Sequence, residues 1–219
     1  MGYNYPAWKF FSKCLKKTMG DDYKGKEMLE YGCQELKGEI RKKFKYNTAK
    51  GYFSSIGFNH VSIDKKGCHR SLRMDLRKPF PEEFYNRFDI ITNSGTTEHV
   101  KPLESQYHCF ENIHNCAKVG CVMFHVLPGP SLYKGHCRVY YKKKFFHDLA
   151  KLNNYKIIHI EAIKKRPTIL VFGVCFVKME DTQFCESKNK FLKNMVWIDK
   201  ETYLKHRKNK RKYLHGRNK

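Results

Sequence analysis

The chain has 219 residues, 41% hydrophobic and 15% aromatic, which suits one folded domain and excludes a disordered polymer. The longest apolar run, Ile169–Val177, is of strand length and far short of the roughly 20 residues a membrane helix needs, so no membrane insertion is expected. Lysine and arginine outnumber aspartate and glutamate 44 to 21, a formal charge of +23 that attracts polyanions, nucleic acid above all. Eight of those basic residues fall in Lys205–Lys219 (KHRKNKRKYLHGRNK), which holds no acid. That tail makes RNA a candidate partner; a solvated tail in a lysine-rich composition is the bland alternative.

In chain order, Trp8, Phe11 and Leu15 recur three or four apart and predict an amphipathic helix from about Ala7 to Met19, broken by "GDDYKGK". A short apolar strand is expected at Glu27–Glu30, then helix to about Gly57 with an interruption near Tyr46–Thr48. Phe58–Ile63 predicts a second strand ending in Asp64, and Ser71–Met74 a third ending in Asp75. Pro79 and Pro81 open a short helix before a fourth strand at Phe88–Thr92. Pro102 suits the first position of a helix whose apolar residues repeat from Leu103 to Ala117, with Gly120 as its stop. Cys121–Leu127 predicts a fifth strand, and Phe145, Phe146, Leu149 and Leu152 a further helix. Two β-rich runs follow, Lys156–Ile160 and Thr168–Val177, joined by "KKRPT". So short a connection implies antiparallel pairing.

Strand and helix alternation predicts an α/β fold, a doubly wound and mainly parallel sheet with helices on both faces. Residues 1–25 form a helical lead-in, 26–178 the α/β domain, and 179–219 a helical, basic extension. Nine cysteines without a CxxC pair suit reduced thiols, so a cytoplasmic location is expected. The N-terminus has no continuous apolar stretch ending at a small-residue cleavage site, so no signal peptide is expected. His108, Cys109, His114 and Cys116 fall on a predicted helix and point different ways, and no metal site is expected.

Ligands of such sheets sit at the carboxyl ends of the strands. Three of the first four predicted strands carry a carboxylate there: Glu30, Asp64 and Asp75. The stretch "MLEYGCQEL" (Met28–Leu36) has an acid and a glycine, Gly32, yet Gln34 stands where a dinucleotide turn needs its next glycine. A pyrophosphate wants glycines at the helix N-terminus. A ligand with an ammonium, a ribose diol and an adenine, but no phosphate, wants acids instead. S-adenosylmethionine (SAM) is such a ligand.

From Lys26 to Val177 the layout resembles a class I, Rossmann-like SAM-dependent methyltransferase of the broad type-11 kind. The motifs that carry the resemblance are "LEYGCQ", "VSID", "MDLRKPFP", "FDIITNSGTTEHV" and "ENIHNCAKVGCVMFHVLPG". It implies a seven-stranded sheet with an antiparallel last strand, and SAM as cofactor. By position, Glu30, Gly32 and Gln34 would line its methionine end and Asp64 would hold the ribose hydroxyls. Asp75 would take the adenine amino group and Leu76 the ring through its backbone N–H, while Asn93, Ser94 and Gly95 would flank the sulfonium.

Methyl transfer from a sulfonium needs alignment, plus a base where the acceptor is a hydroxyl. His99, just past the fourth strand, and His136, in the loop after the fifth, are the candidate bases, each weighed against a structural role. His125, inside an apolar strand, suits a core position. The D/N-P-P-aromatic box of exocyclic-amine methylation is absent, since the position reads Asn93-Ser94-Gly95-Thr96. O-methylation of a small molecule or sugar is therefore the leading expectation. RNA methylation through the basic tail is the rival, and a non-catalytic basic nucleic-acid-binding protein on the same fold is the third reading.

Overall fold

Strict alternation of apolar side chains between two faces organises the centre of the molecule, seen here in a computed structural model that describes residues 2–166 and 168–214. Its main sheet has seven strands: β1 (Glu27–Tyr31), β2 (Asn59–Asp64), β3 (Leu72–Arg73), β4 (Phe88–Ser94), β5 (Ala117–Gly129), β6 (Tyr155–Arg166) and β7 (Ile169–Lys178). Their spatial order is β3-β2-β1-β4-β5-β7-β6, and β7 runs antiparallel to both of its neighbours. Leu29, Ile91 and Met123 stand in register on one face, and Met28, Ile90 and Val122 on the other. All six are buried, as a sheet covered on both sides requires.

The Met28 face is covered by α1 (Tyr5–Met19), α2 (Glu39–Phe44) and α3 (Ala49–Ser55), through Phe10, Phe11, Ile40 and Phe53. The Leu29 face is covered by α4 (Ser105–Cys116), α5 (Lys143–Leu152) and α6 (Lys188–Leu192), through Phe110, Phe145, Phe146 and Phe191. Two further helices, α7 (Lys200–Lys208) and α8 (Lys210–Leu214), carry most of the basic tail; its last residues, 215–219, lie outside the described residues. Helix α1 starts where Asn4 Oδ1 accepts the Ala7 N–H (3.1 Å) and stops at Gly20, whose N–H donates to the Lys16 carbonyl.

The sequence expectations differ from this structure at several places. Helix does not follow Gly32 directly. Glu35–Leu36 first pairs in parallel with Gly2–Tyr3, because Leu36 and Tyr3 bury together, and helix begins only at Glu39. Pro102 lies three residues before α4 rather than at its first position. That helix ends at Cys116, because Ala117 already pairs with Phe88; the segment predicted as its last turn, up to Gly120, opens β5 instead. Finally, Val139–Tyr141 and Met195–Trp197 form a small antiparallel sheet that no periodicity announced. Among the described residues no helix is long and apolar enough to cross a membrane.

Candidate functional site

The turn after β1 is held from its neighbours. Gly32 has φ +75° and its N–H donates to the Ile63 carbonyl of β2 (2.8 Å). A Cβ there would stand 2.5 Å from Thr96 Oγ1, so the turn after β4 approaches to a distance only glycine permits. Thr96 Oγ1 donates to the Tyr31 carbonyl (2.7 Å) and accepts from Gln34 Nε2 (3.2 Å). Gln34 therefore stitches two turns together where a glycine would leave a gap. Its backbone N–H donates to Glu30 Oε1 (3.0 Å), while Gln34 Oε1 and Glu30 Oε2 are buried with no hydrogen-bond partner.

Beside that turn opens a cavity of about 310 Å³ at the carboxyl ends of β1, β2 and β4. Gly32, Asp64, Asp75, Leu76 and His99 all line it, so five of the residues singled out in the sequence meet at one place. Asp64 accepts the Lys66 N–H (2.7 Å) on one oxygen and lies 3.5 Å from the Cys33 N–H with the other. Asp75 is gripped by Arg77, whose Nε and Nη2 reach its oxygens at 2.9 and 2.6 Å, and this hydrogen bonding lowers its pKa to about 2. Ile63, Met74, Leu76 and Val100 give the wall apolar stretches between the acids.

The other sequence candidates do not line the cavity. Glu30 and Gln34 lie buried under the turn. Asn93 is buried, its amide nitrogen donating to Thr97 Oγ1 (3.0 Å) and facing His125 Nδ1 (3.3 Å). Ser94 is buried at the end of β4, and the Gly95 N–H donates to the Val126 carbonyl (3.0 Å). His125 is a core residue stacked on Phe110, and burial lowers its pKa to about 3.

His99, which lines the cavity, and His136, which does not, converge on a residue that the sequence reading did not single out. Glu98 is 1% exposed and neither of its carboxylate oxygens has a hydrogen-bond partner. His99 Nε2 lies 3.7 Å and His136 Nε2 3.5 Å from Glu98 Oε1. Glu98 and His99 sit on the short turn Thr97–His99, braced where Gln106 Nε2 donates to the Thr97 and Val100 carbonyls. His136 comes from the loop before Val139–Tyr141, and α7 packs on that loop: the Lys134 N–H donates to His206 Nδ1 (3.3 Å). Thr96 and Glu98 were legible only as polar residues near a strand end, because their roles arise from contacts between separate turns.

No family model and no curated protein matches the sequence. Solved structures do match the fold. The N-methyltransferase NodS of Bradyrhizobium japonicum WM9, in complex with S-adenosylhomocysteine, aligns with a TM-score of 0.55 at 13% identity, over 81% of this chain and 89% of its own. The 1,6-didemethyltoxoflavin-N1-methyltransferase of Burkholderia thailandensis, with 1,6-didemethyltoxoflavin and S-adenosylhomocysteine bound, gives 0.54 at 11% identity over 80% and 79%. A SAM-dependent methyltransferase of Methanosarcina mazei gives 0.51 at 12% over 82% and 99%. The fold is that of class I SAM-dependent methyltransferases. In this chain the cavity lies at the strand edge and is lined by Gly32, Asp64 and Asp75.

Proposed function

We propose that this protein is a SAM-dependent methyltransferase acting on a hydroxyl of a small molecule or sugar. The observation that carries the reading is the meeting of Gly32, Asp64, Asp75 and Leu76 around one cavity at the carboxyl edge of the methyltransferase fold. The residues present fit such a cofactor. Asp64 offers a carboxylate to a ribose diol, and Asp75, kept ionised by Arg77, accepts from an exocyclic amine. Ile63, Met74 and Leu76 supply apolar surface for a purine. When bound, SAM supplies an activated methyl group. The chain supplies orientation and exclusion of water, with His99 lining the same cavity and His136 beside it as the polar groups positioned to receive an acceptor hydroxyl. Incubation with excess S-adenosylhomocysteine followed by native mass spectrometry tests the reading: it expects one bound molecule per chain, and a chain left bare under all conditions refutes it.

A second reading, RNA as the acceptor, draws support from one contact. The basic helix α7 packs on the loop that carries His136, so its cationic side chains stand beside that loop. Methylation assays against RNA and small hydroxylated acceptors separate the two.

A further inference from the structure

We propose that Glu98, His99 and His136 bind a divalent metal ion of the zinc, manganese or iron class beside the cavity that His99 lines. The acceptor role given to that ion rests on the methyltransferase reading above; the ion site itself does not.

Three observations converge. A carboxylate that is almost completely buried normally has partners, because transfer of an unpaired charge from water is costly. Glu98 has none within hydrogen-bonding geometry, on either oxygen. Instead two imidazole nitrogens face one of its oxygens at 3.5 and 3.7 Å, and the three ligand atoms all lie within 4.8 Å of one another. A tetrahedral ion with bonds of about 2.0–2.1 Å holds its ligands about 3.3–3.4 Å apart, so the two carboxylate–imidazole edges, at 3.5 and 3.7 Å, are slightly wider than in an occupied site and close with small side-chain rotations. Direct bonding between the three groups would bring them nearer than this.

The donor set also narrows the ion. Two imidazoles and one carboxylate suit zinc and other first-row divalent ions, and are too nitrogen-rich for calcium. Three protein ligands leave positions open, as in catalytic sites, whereas structural zinc takes four. The imidazoles of His99 and His136 are 39% and 49% exposed, so the open side faces solvent and not the core. An ion held there binds an acceptor oxygen beside the cavity and acidifies its hydroxyl, whose proton passes to solvent. Among the described residues no other group of three such side chains converges in this way, the cysteines and histidines of α4 included.

The test is calorimetric titration of chelator-treated full-length protein with zinc and with manganese, repeated on Glu98→Gln and His136→Ala. Cobalt substitution adds an absorption spectrum that reports imidazole and carboxylate ligation directly. One ion per chain is expected for the parent, with affinity at least tenfold weaker in both variants and unchanged in His147→Ala, a histidine on the distant helix α5. No ion binding by the parent, or equal binding after both substitutions, overturns the proposal. Circular dichroism and S-adenosylhomocysteine titration run alongside show that the variants fold. A parent that binds the ion through Glu98 and His136 but no S-adenosylhomocysteine supports the metal site and refutes the methyltransferase reading instead.

Discussion

Gly32 shows how far a single residue type can be interpreted. A glycine ending an apolar strand signals a close approach, and the structure supplies the reason: Thr96 occupies the place of its Cβ. Gly32→Ala forces a left-handed residue with a side chain against that hydroxyl. The left-handed backbone alone costs about 1–2 kcal/mol, so the melting temperature falls and S-adenosylhomocysteine affinity falls with it. Normal affinity in the alanine variant would contradict the packing described. Asp64 and Asp75 were legible because acids recurring at strand ends are rare by chance. The contacts of Gln34, Thr96 and Glu98 were not, because their partners lie in other turns. The Gln34–Thr96 hydrogen bond, for example, spans 62 positions of sequence. The His99–His136 pairing was hidden for the same reason: each was weighed alone as a base, and only the fold sets both against Glu98.

Elements with a long apolar period were legible, and short ones were not. The amphipathic spacing of α1 marked it at once, and its Phe11 packs 4.6 Å from the Phe124 ring and 5.3 Å from Phe53. Phe11→Ala should cost about 3–5 kcal/mol of stability, read as a lower urea midpoint, since it opens a hole between helix and sheet. Strands Glu35–Leu36 and Val139–Tyr141 are two and three residues long, too short for any period, and exist because distant segments pair with them. The true start of β5 escaped notice because Lys118, Val119 and Gly120 fall at an irregularity in its pairing with β4 and carry no burial pattern. At the other end of the chain, Lys205, Lys208, Lys210 and Arg211 are exposed along α7 and α8. Replacing all four by glutamine should lower the salt dependence of RNA binding, by about 0.7 in log–log slope for each phosphate of a single strand that is no longer neutralised. S-adenosylhomocysteine binding should stay unchanged. If the parent shows no salt-sensitive RNA binding, the RNA reading loses its support.

For the molecule as a whole, the α4 side of the sheet closes over two buried histidines, His125 and His114. Burial lowers the His125 pKa to about 3 and that of His114 to about 4, against an ordinary value near 6.5. Both stay neutral in the native state, while the unfolded chain takes up protons as pH falls below that ordinary value. Their contribution to stability is thus complete above about pH 6.5 and is lost progressively toward pH 3–4. Melting temperature should fall on acidification from pH 7 to pH 4, and fall less in His125→Gln; equal pH profiles would show that His125 is not buried neutral. The sheet order β3-β2-β1-β4-β5-β7-β6 is what turns scattered residues into a site, because it sets the ends of β1, β2 and β4 around one cavity. The claim that this cavity holds SAM through Asp64 is tested most directly by calorimetric titration of S-adenosylhomocysteine into the parent and Asp64→Ala. Hydrogen bonds to a charged group are worth about 1.5–3 kcal/mol each, so the variant should bind at least about tenfold more weakly while melting like the parent. Equal affinities, or a parent that binds none, would contradict the account.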